Sequence, residues 1–85
     1  MKFDTRLREL IAIGASVTAN CEGCVTYHIG KAVEAGVAED EIAEAVEIGR
    51  MVRRGAAAKL DRTVENLLQT TPVTSSQPPE GCARA

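Results

Sequence analysis

Two cysteines separated by two residues are the side chains best suited to chemistry. Cys21, Glu22, Gly23 and Cys24 form a CxxC motif, and His28, the only histidine of the chain, follows four residues after it. At this spacing the two sulfurs can close a disulfide with little backbone movement, so one thiol can attack and the other resolve. The motif also lies at the predicted start of a helix, where a thiol pKa falls below its ordinary value of about 8.5. The CxxC motif therefore predicts thiol–disulfide redox chemistry.

His28 and Glu9 are the side chains that can assist proton transfer at these thiols. His28 lies one helical turn beyond Cys24 on the same face, where its imidazole can take the Cys24 proton directly or through one water molecule. Taken alone, a single histidine on an apolar face is more often a core residue. Glu9 is in line with Ile13 and Ser16, beside an apolar stripe, so we expect it to be partly buried and to orient His28. Taken alone, Glu9 would be a solvated surface residue.

The first two helices predicted from apolar spacing carry all four of these side chains. The first spans about residues 4–19, takes Asp4 or Thr5 as its N-cap and is interrupted at Asn20. Its predicted inward stripe is Phe3, Leu7, Leu10, Ile11, Gly14 and Val17. The second helix begins around residues 21–23 and ends at Gly36. Its predicted inward face, with both cysteines and the histidine pointing into packing, is Cys21, Cys24, Val25, His28, Ile29, Ala32 and Ala35.

Two further segments complete a predicted all-α domain of about four helices over residues 1–70. The third helix has an acidic first turn and a hydrophobic staple between Val37 and Ile42. Its predicted inward stripe is Ile42, Ala45, Val46, Gly49 and Val52, and its C-terminal end is complemented by Arg50, Arg53 and Arg54. Gly55 either bends this helix or separates it from a fourth, residues 56–70, whose apolar side is Leu60, Val64, Leu67 and Leu68.

Composition restricts the partners and the location of the protein. The 85 residues carry a formal net charge of −2 with acids and bases interspersed, which predicts no nucleic-acid binding. Neither a signal peptide nor a long apolar run is present, so we expect a cytoplasmic protein that does not bind membranes. Residues 71–85, which include Cys82, are rich in Pro, Ser, Thr and Gln and predict a disordered tail. With only Phe3 and Tyr27 as aromatic residues, the core is thin, and we expect a homo-oligomer.

The pattern resembles the alkylhydroperoxidase D-like branch of the carboxymuconolactone decarboxylase superfamily. The resemblance covers roughly residues 7–60 and includes Glu9, the CxxC motif twelve residues later, His28, and the run GKAVEAGVAEDEIAEAV over residues 30–46. It implies an all-helical homo-oligomer, a dimer, trimer or hexamer with the cysteines near a subunit contact, that reduces organic hydroperoxides. In this family the second cysteine attacks the peroxide and the first closes the disulfide, which implies a peroxidatic Cys24 and a resolving Cys21.

The resemblance also implies the remaining parts of such a catalytic cycle. His28 and Glu9 match the proton relay of this family. The resemblance implies no cofactor other than the redox-active Cys21–Cys24 disulfide. It also implies that the electrons come from a dithiol reductant such as a lipoylated or thioredoxin-like protein. Two features depart from the pattern. The chain is about half as long as the longer hydroperoxidases, and Gly23 replaces the histidine that precedes their second cysteine. Weak peroxidase activity or a general disulfide reductase activity is compatible with these differences.

Three other functions are compatible with the same residues. Cys21, Cys24 and His28 have the types and spacing of three zinc ligands, although a clear fourth ligand is missing and the sequence has no second CxxC or HxxxH cluster. The decarboxylase branch of the superfamily shares the fold, but decarboxylation has no use for a vicinal dithiol. The third alternative is a structural interaction module in which the cysteines are small buried side chains.

Overall fold

Three α-helices make up the part of the chain that the structure describes. The computed structural model describes residues 2–70, with α1 at Thr5–Thr18, α2 at Glu22–Glu34 and α3 at Glu39–Thr70. These residues contain no strand, which confirms the all-α prediction. The predicted tail of residues 71–85, with Cys82, lies outside the described residues. None of the described helices has the length and apolarity needed to cross a membrane.

The ends of the helices follow local signals in the sequence. Asp4 is the N-cap of α1, and its carboxylate accepts a hydrogen bond from the backbone N–H of Leu7 at 2.8 Å. Gly36, just beyond α2, has a φ of +77°, a left-handed conformation that glycine adopts without a steric penalty. Val37 and Ile42 are both buried in one cluster around the start of α3, as the predicted hydrophobic staple requires.

The prediction of about four helices is wrong, because α3 continues through Gly55 without interruption. The structure has one helix of 32 residues where the sequence left a bend or a break open. A glycine inside a helix costs about 1 kcal/mol relative to alanine. Methionine, arginine, alanine, lysine and leucine surround this position and are strong helix formers, so the penalty is too small to end the helix.

The core lies between α1 and its two neighbours. α1 packs extensively against both α2 and α3, whereas α2 and α3 contact each other only slightly. The buried cluster contains side chains from all three helices and from the loop before α3, namely Ile13, Ala32, Val37, Ile42 and Ala45, and the partly buried Leu10, Ile29 and Val46 pack against it. α1 is therefore the central helix of the described domain.

The predicted inward stripe of α1 is confirmed at Val17, and Leu10 packs against the core, but the buried strip is shifted by part of a turn from the rest of the prediction. The buried residues of this helix are Glu9, Ile13, Ser16 and Val17, while Phe3 and Ile11 are about half exposed, at 53% and 50%. The reason is that α2 and α3 pack against two different sides of α1. The residues of α1 that lie between these two contacts are buried, and the most apolar stripe of α1 lies at the edge of the buried surface. Only the tertiary arrangement selects that strip.

α3 contacts α1 most closely at Gly49. A Cβ atom built on this glycine would lie 2.5 Å from the backbone oxygen of Gly14 and 2.8 Å from Cβ of Val17. No side chain fits in this space, which confirms the predicted close approach of a neighbouring helix. Ile42, Ala45 and Gly49 are buried as predicted, but Val52 is 49% exposed and does not belong to the inward face.

Candidate active site

The link between α1 and α2 places Cys21 at the start of α2. Asn20 has a φ of +56°, which asparagine tolerates better than most residues. The backbone N–H of Asn20 donates to the oxygen of Val17 at 3.1 Å, and that of Cys21 donates to the oxygen of Ser16 at 3.0 Å. These two bonds form a Schellman motif that ends α1. Because Cys21 is also the N-cap of α2, its backbone is fixed by both helices.

The two cysteines of the CxxC motif are joined by a disulfide in the first turn of α2. Their Cα atoms are 5.2 Å apart, and the backbone N–H of Cys24 points at Sγ of Cys21 at 3.3 Å. Cys21 is half-buried, whereas Cys24 is exposed. The expectation that both cysteines point into packing is therefore wrong for Cys24. Cys21 is held between the end of α1 and the start of α2 by its bond to Ser16, whereas Cys24 does not belong to the buried cluster of the three helices.

Glu9 and His28 form the second pair of the site, and it joins α1 to α2. Nδ1 of His28 lies 2.7 Å from Oε1 of Glu9. Glu9 is only 8% exposed, which confirms its expected burial. When the carboxylate is ionised and the ring is neutral, Nδ1 donates to Oε1 of Glu9 and Nε2 is the acceptor of the ring. This is the tautomer that a general base at Nε2 needs.

The four predicted site residues therefore form two bonded pairs on adjacent helices. Within residues 2–70, no hydrogen bond joins His28 to either cysteine. Proton transfer between the pairs would accordingly pass through a water molecule, the second of the two routes expected from the sequence. Beside the site, the exposed Tyr27 ring packs edge-on against His28, with ring centroids 5.1 Å apart.

Arg53 contacts the loop before the CxxC motif, a contact that was not predicted from the sequence. Its Nη1 donates to the backbone oxygen of Val17 at 3.2 Å and to Oδ1 of Asn20 at 2.9 Å, so α3 contacts the residues just before the CxxC motif. The interpretation of the arginines as complements of a helix end is wrong, because α3 continues to Thr70. A signal was available, since Arg53 follows the inward residue Gly49 by four positions.

A cleft of about 800 Å³ opens beside the disulfide. Arg50 and Arg53 line it from α3, Cys21 and Glu22 line it from the start of α2, and its other lining residues are Ser16, Val17, Asn20, Val25, Thr26, Ile29 and Val46. Such a volume is typical of clefts that bind small molecules.

The zinc alternative finds no support in the described geometry. No group of three or more His, Cys, Asp or Glu side chains within residues 2–70 is arranged to hold a metal ion. Both cysteine sulfurs are bonded to each other, and His28 is directed to Glu9.

The fold and the site define a small helical protein with a CxxC disulfide at the start of its second helix and a carboxylate–histidine pair beside it. The chain belongs to the carboxymuconolactone decarboxylase family, which includes the alkylhydroperoxidase D-like proteins; the family model matches residues 2–63. This match confirms the resemblance inferred from the sequence. No curated protein and no solved structure matches the chain significantly.

Proposed function

We propose that the protein is a thiol-dependent peroxidase that reduces organic hydroperoxides through Cys21 and Cys24. The main support is the disulfide at the first turn of α2, in which Cys24 is an exposed residue and Cys21 is half-buried. A purely structural disulfide between cysteines three positions apart would stabilise the fold little, because the entropic benefit of a disulfide falls as the loop that it closes becomes shorter. The chain also belongs to a family that includes alkylhydroperoxidase D-like proteins, which supports the same function.

The first chemical step starts from the reduced dithiol. The Cys24 thiolate attacks the outer peroxide oxygen, so an S–O bond forms while the O–O bond breaks and the alkoxide leaves as an alcohol after taking one proton. Cys24 is assigned as the attacking residue because it is the exposed residue of the pair, whereas Cys21 is half-buried. Cys24 is thereby oxidised to a sulfenic acid and the peroxide is reduced.

The second step closes the disulfide, and a reductant then opens it. Cys21 attacks the Cys24 sulfur, the S–O bond breaks, and water leaves with a second proton. A dithiol of the lipoyl or thioredoxin type then attacks the sulfur of Cys24, the exposed residue of the pair, is itself oxidised to a disulfide and restores both thiols. The N–H of Cys24 lies 3.3 Å from the Cys21 sulfur and stabilises the thiolate that leaves in this attack.

The Glu9–His28 pair is proposed to handle the protons of this cycle. With Nδ1 held by the carboxylate, Nε2 accepts the thiol proton and later donates it to the departing alkoxide. The site holds no further cofactor in this scheme. All electrons pass through the two sulfurs.

Cysteine substitutions test this proposal. Stoichiometric hydroperoxide should convert the reduced wild-type protein to the Cys21–Cys24 disulfide, read by mass spectrometry as a loss of two hydrogens. Cys24→Ser should abolish peroxide consumption, whereas Cys21→Ser should retain a sulfenic acid on Cys24 that dimedone traps. Undiminished dimedone labelling of Cys21 in the Cys24→Ser protein would reverse the two assignments. Unchanged peroxide consumption in both variants would contradict the proposal.

A decarboxylase-like function is the second candidate, and the family match is the observation in its favour. That reaction does not require the thiols to change oxidation state. Decarboxylation of a lactone acid that persists after both cysteines are replaced by serine would favour it over the peroxidase.

A further inference from the structure

The cleft beside the disulfide has an apolar part and a cationic part. Its apolar walls come from α2 and α3, through Val25, Ile29 and Val46, and Val17 of α1 adds to them. The cationic part is formed by Arg50 and Arg53 on successive turns of α3. Cys21 also lines the cleft, and its sulfur is bonded to that of Cys24. A molecule in the cleft therefore lies next to the redox pair.

The residues that line the cleft carry more positive than negative charge. Arg53 is half-buried, and both of its hydrogen-bond acceptors, on Val17 and Asn20, are uncharged oxygens. Within residues 2–70 no carboxylate lies within ion-pair distance of Arg53. Arg50 contacts Glu47 at 2.6 Å, but this pair is exposed and thus weak. Glu22 is the one acidic residue that lines the cleft, against two arginines.

We propose that this cleft binds the hydroperoxide and selects substrates whose apolar chain ends in a carboxylate. This inference rests on the proposed peroxidase function. The apolar chain contacts Val25, Ile29 and Val46, and the carboxylate is bound by Arg50 and by the N–H groups of Arg53 that do not hold the loop. Guanidinium groups bind carboxylates with strong, charge-assisted hydrogen bonds, and such a bond is stronger in a partly apolar cleft than in water.

A matched pair of substrates tests the selection. The hydroperoxide of a medium-chain fatty acid and that of its methyl ester differ only in the carboxylate, and dithiothreitol serves as an uncharged reductant for both. We expect kcat/KM to be about tenfold higher for the acid at low salt. Arg50→Gln should lower this preference about five- to tenfold. Arg54→Gln is the control, because this substitution removes the same charge from an exposed residue that does not line the cleft.

Calorimetric binding of the unreactive hydroxy acid and its methyl ester separates this inference from the peroxidase proposal. Tighter binding of the acid that is lost in Arg50→Gln and kept in Arg54→Gln supports the cleft assignment, even if no hydroperoxide is reduced and the proposed function fails. Equal binding of acid and ester, or equal losses in the two arginine variants, overturns the assignment. Efficient reduction of both hydroperoxides at the same rate also overturns it and leaves the peroxidase function standing.

Discussion

At the scale of single residues, Glu9 is placed where a carboxylate is costly. It is buried in the central helix, and a buried carboxylate destabilises a fold unless hydrogen bonds compensate for the lost water. The 2.7 Å contact with His28 supplies one such bond. Apolar residues of similar volume often stabilise a core as well as a buried pair does. The burial of this pair supports the proposed role of Glu9 and His28 in proton transfer.

The Glu9–His28 pair gives a prediction about rate. Glu9→Gln and His28→Gln should each slow the reaction of Cys24 with hydroperoxide by about 10²-fold, the usual effect of losing acid–base assistance. The double variant should cost little more than either single variant, because the two residues act as a unit. Stopped-flow measurement of disulfide formation tests this, with the exposed Glu34→Gln as a control. A pH–rate profile that is unchanged in His28→Gln would contradict the relay.

At the scale of helices, the contact between α1 and α3 positions the loop that precedes the CxxC motif. Gly49 allows α3 to reach α1, and one turn further along α3, Arg53 donates hydrogen bonds to Val17 and Asn20. The position of the loop before the CxxC motif thus depends on the distance between the two helices. A change that separates the helices should loosen this loop.

Alanine substitutions at two glycines of α3 are expected to have opposite effects on the free energy of unfolding. Gly49→Ala should destabilise the protein by about 2 kcal/mol, because a clash with the backbone oxygen of Gly14 takes the upper end of the usual overpacking cost of about 1–3 kcal/mol and the gain in helix propensity offsets about 1 kcal/mol. Gly55→Ala should stabilise it by about 0.5–1 kcal/mol, since no atom lies within 4 Å of the added Cβ. Urea denaturation at one fixed protein concentration measures both. Equal effects of the two substitutions would show that α1 and α3 do not approach closely at Gly49.

At the scale of the whole molecule, α3 is longer than the helices that cover it. Thirty-two residues span about 48 Å, and the 14 residues of α1 span about 21 Å. Every residue from Arg54 to Gln69 is exposed, including a row of apolar side chains with Leu60 at 64% and Leu68 at 55%. A groove of about 560 Å³ between α1 and α3 adds further apolar surface from Leu7, Ile11, Ile48 and Val52. Exposed apolar surface of this kind is typical of association sites.

We therefore expect a homo-oligomer in which copies of the chain cover these surfaces. Light scattering should report a mass several times 9.0 kDa, and deletion of residues 71–85 should leave the subunit number unchanged. Combined Leu60→Gln and Leu68→Gln substitutions should dissociate the assembly, whereas Arg62→Gln on the opposite side of α3 should not. A folded, thermally stable wild-type monomer at micromolar concentration would contradict the expectation.

The sequence alone determined the features that depend on neighbours along the chain. A cap at Asp4 or Thr5, of which the structure has Asp4, the turn at Gly36 and the position of the CxxC motif at the start of α2 follow from hydrogen bonds between residues a few positions apart. The partial burial of Glu9 was also predictable, because helical spacing places it in line with Ile13.

Only the tertiary structure decided which side of α1 is buried, whether α3 continues past Gly55, and where Arg53 binds. α1 buries the strip between its two neighbours, α3 tolerates a glycine whose cost is small beside that of breaking a helix, and Arg53 reaches Asn20 because Gly49 lets the helices meet. Each outcome depends on the distance and orientation of helices remote in sequence. Periodicity along one segment carries no information about where its neighbours pack, which is why the sequence left these points open or placed them wrongly.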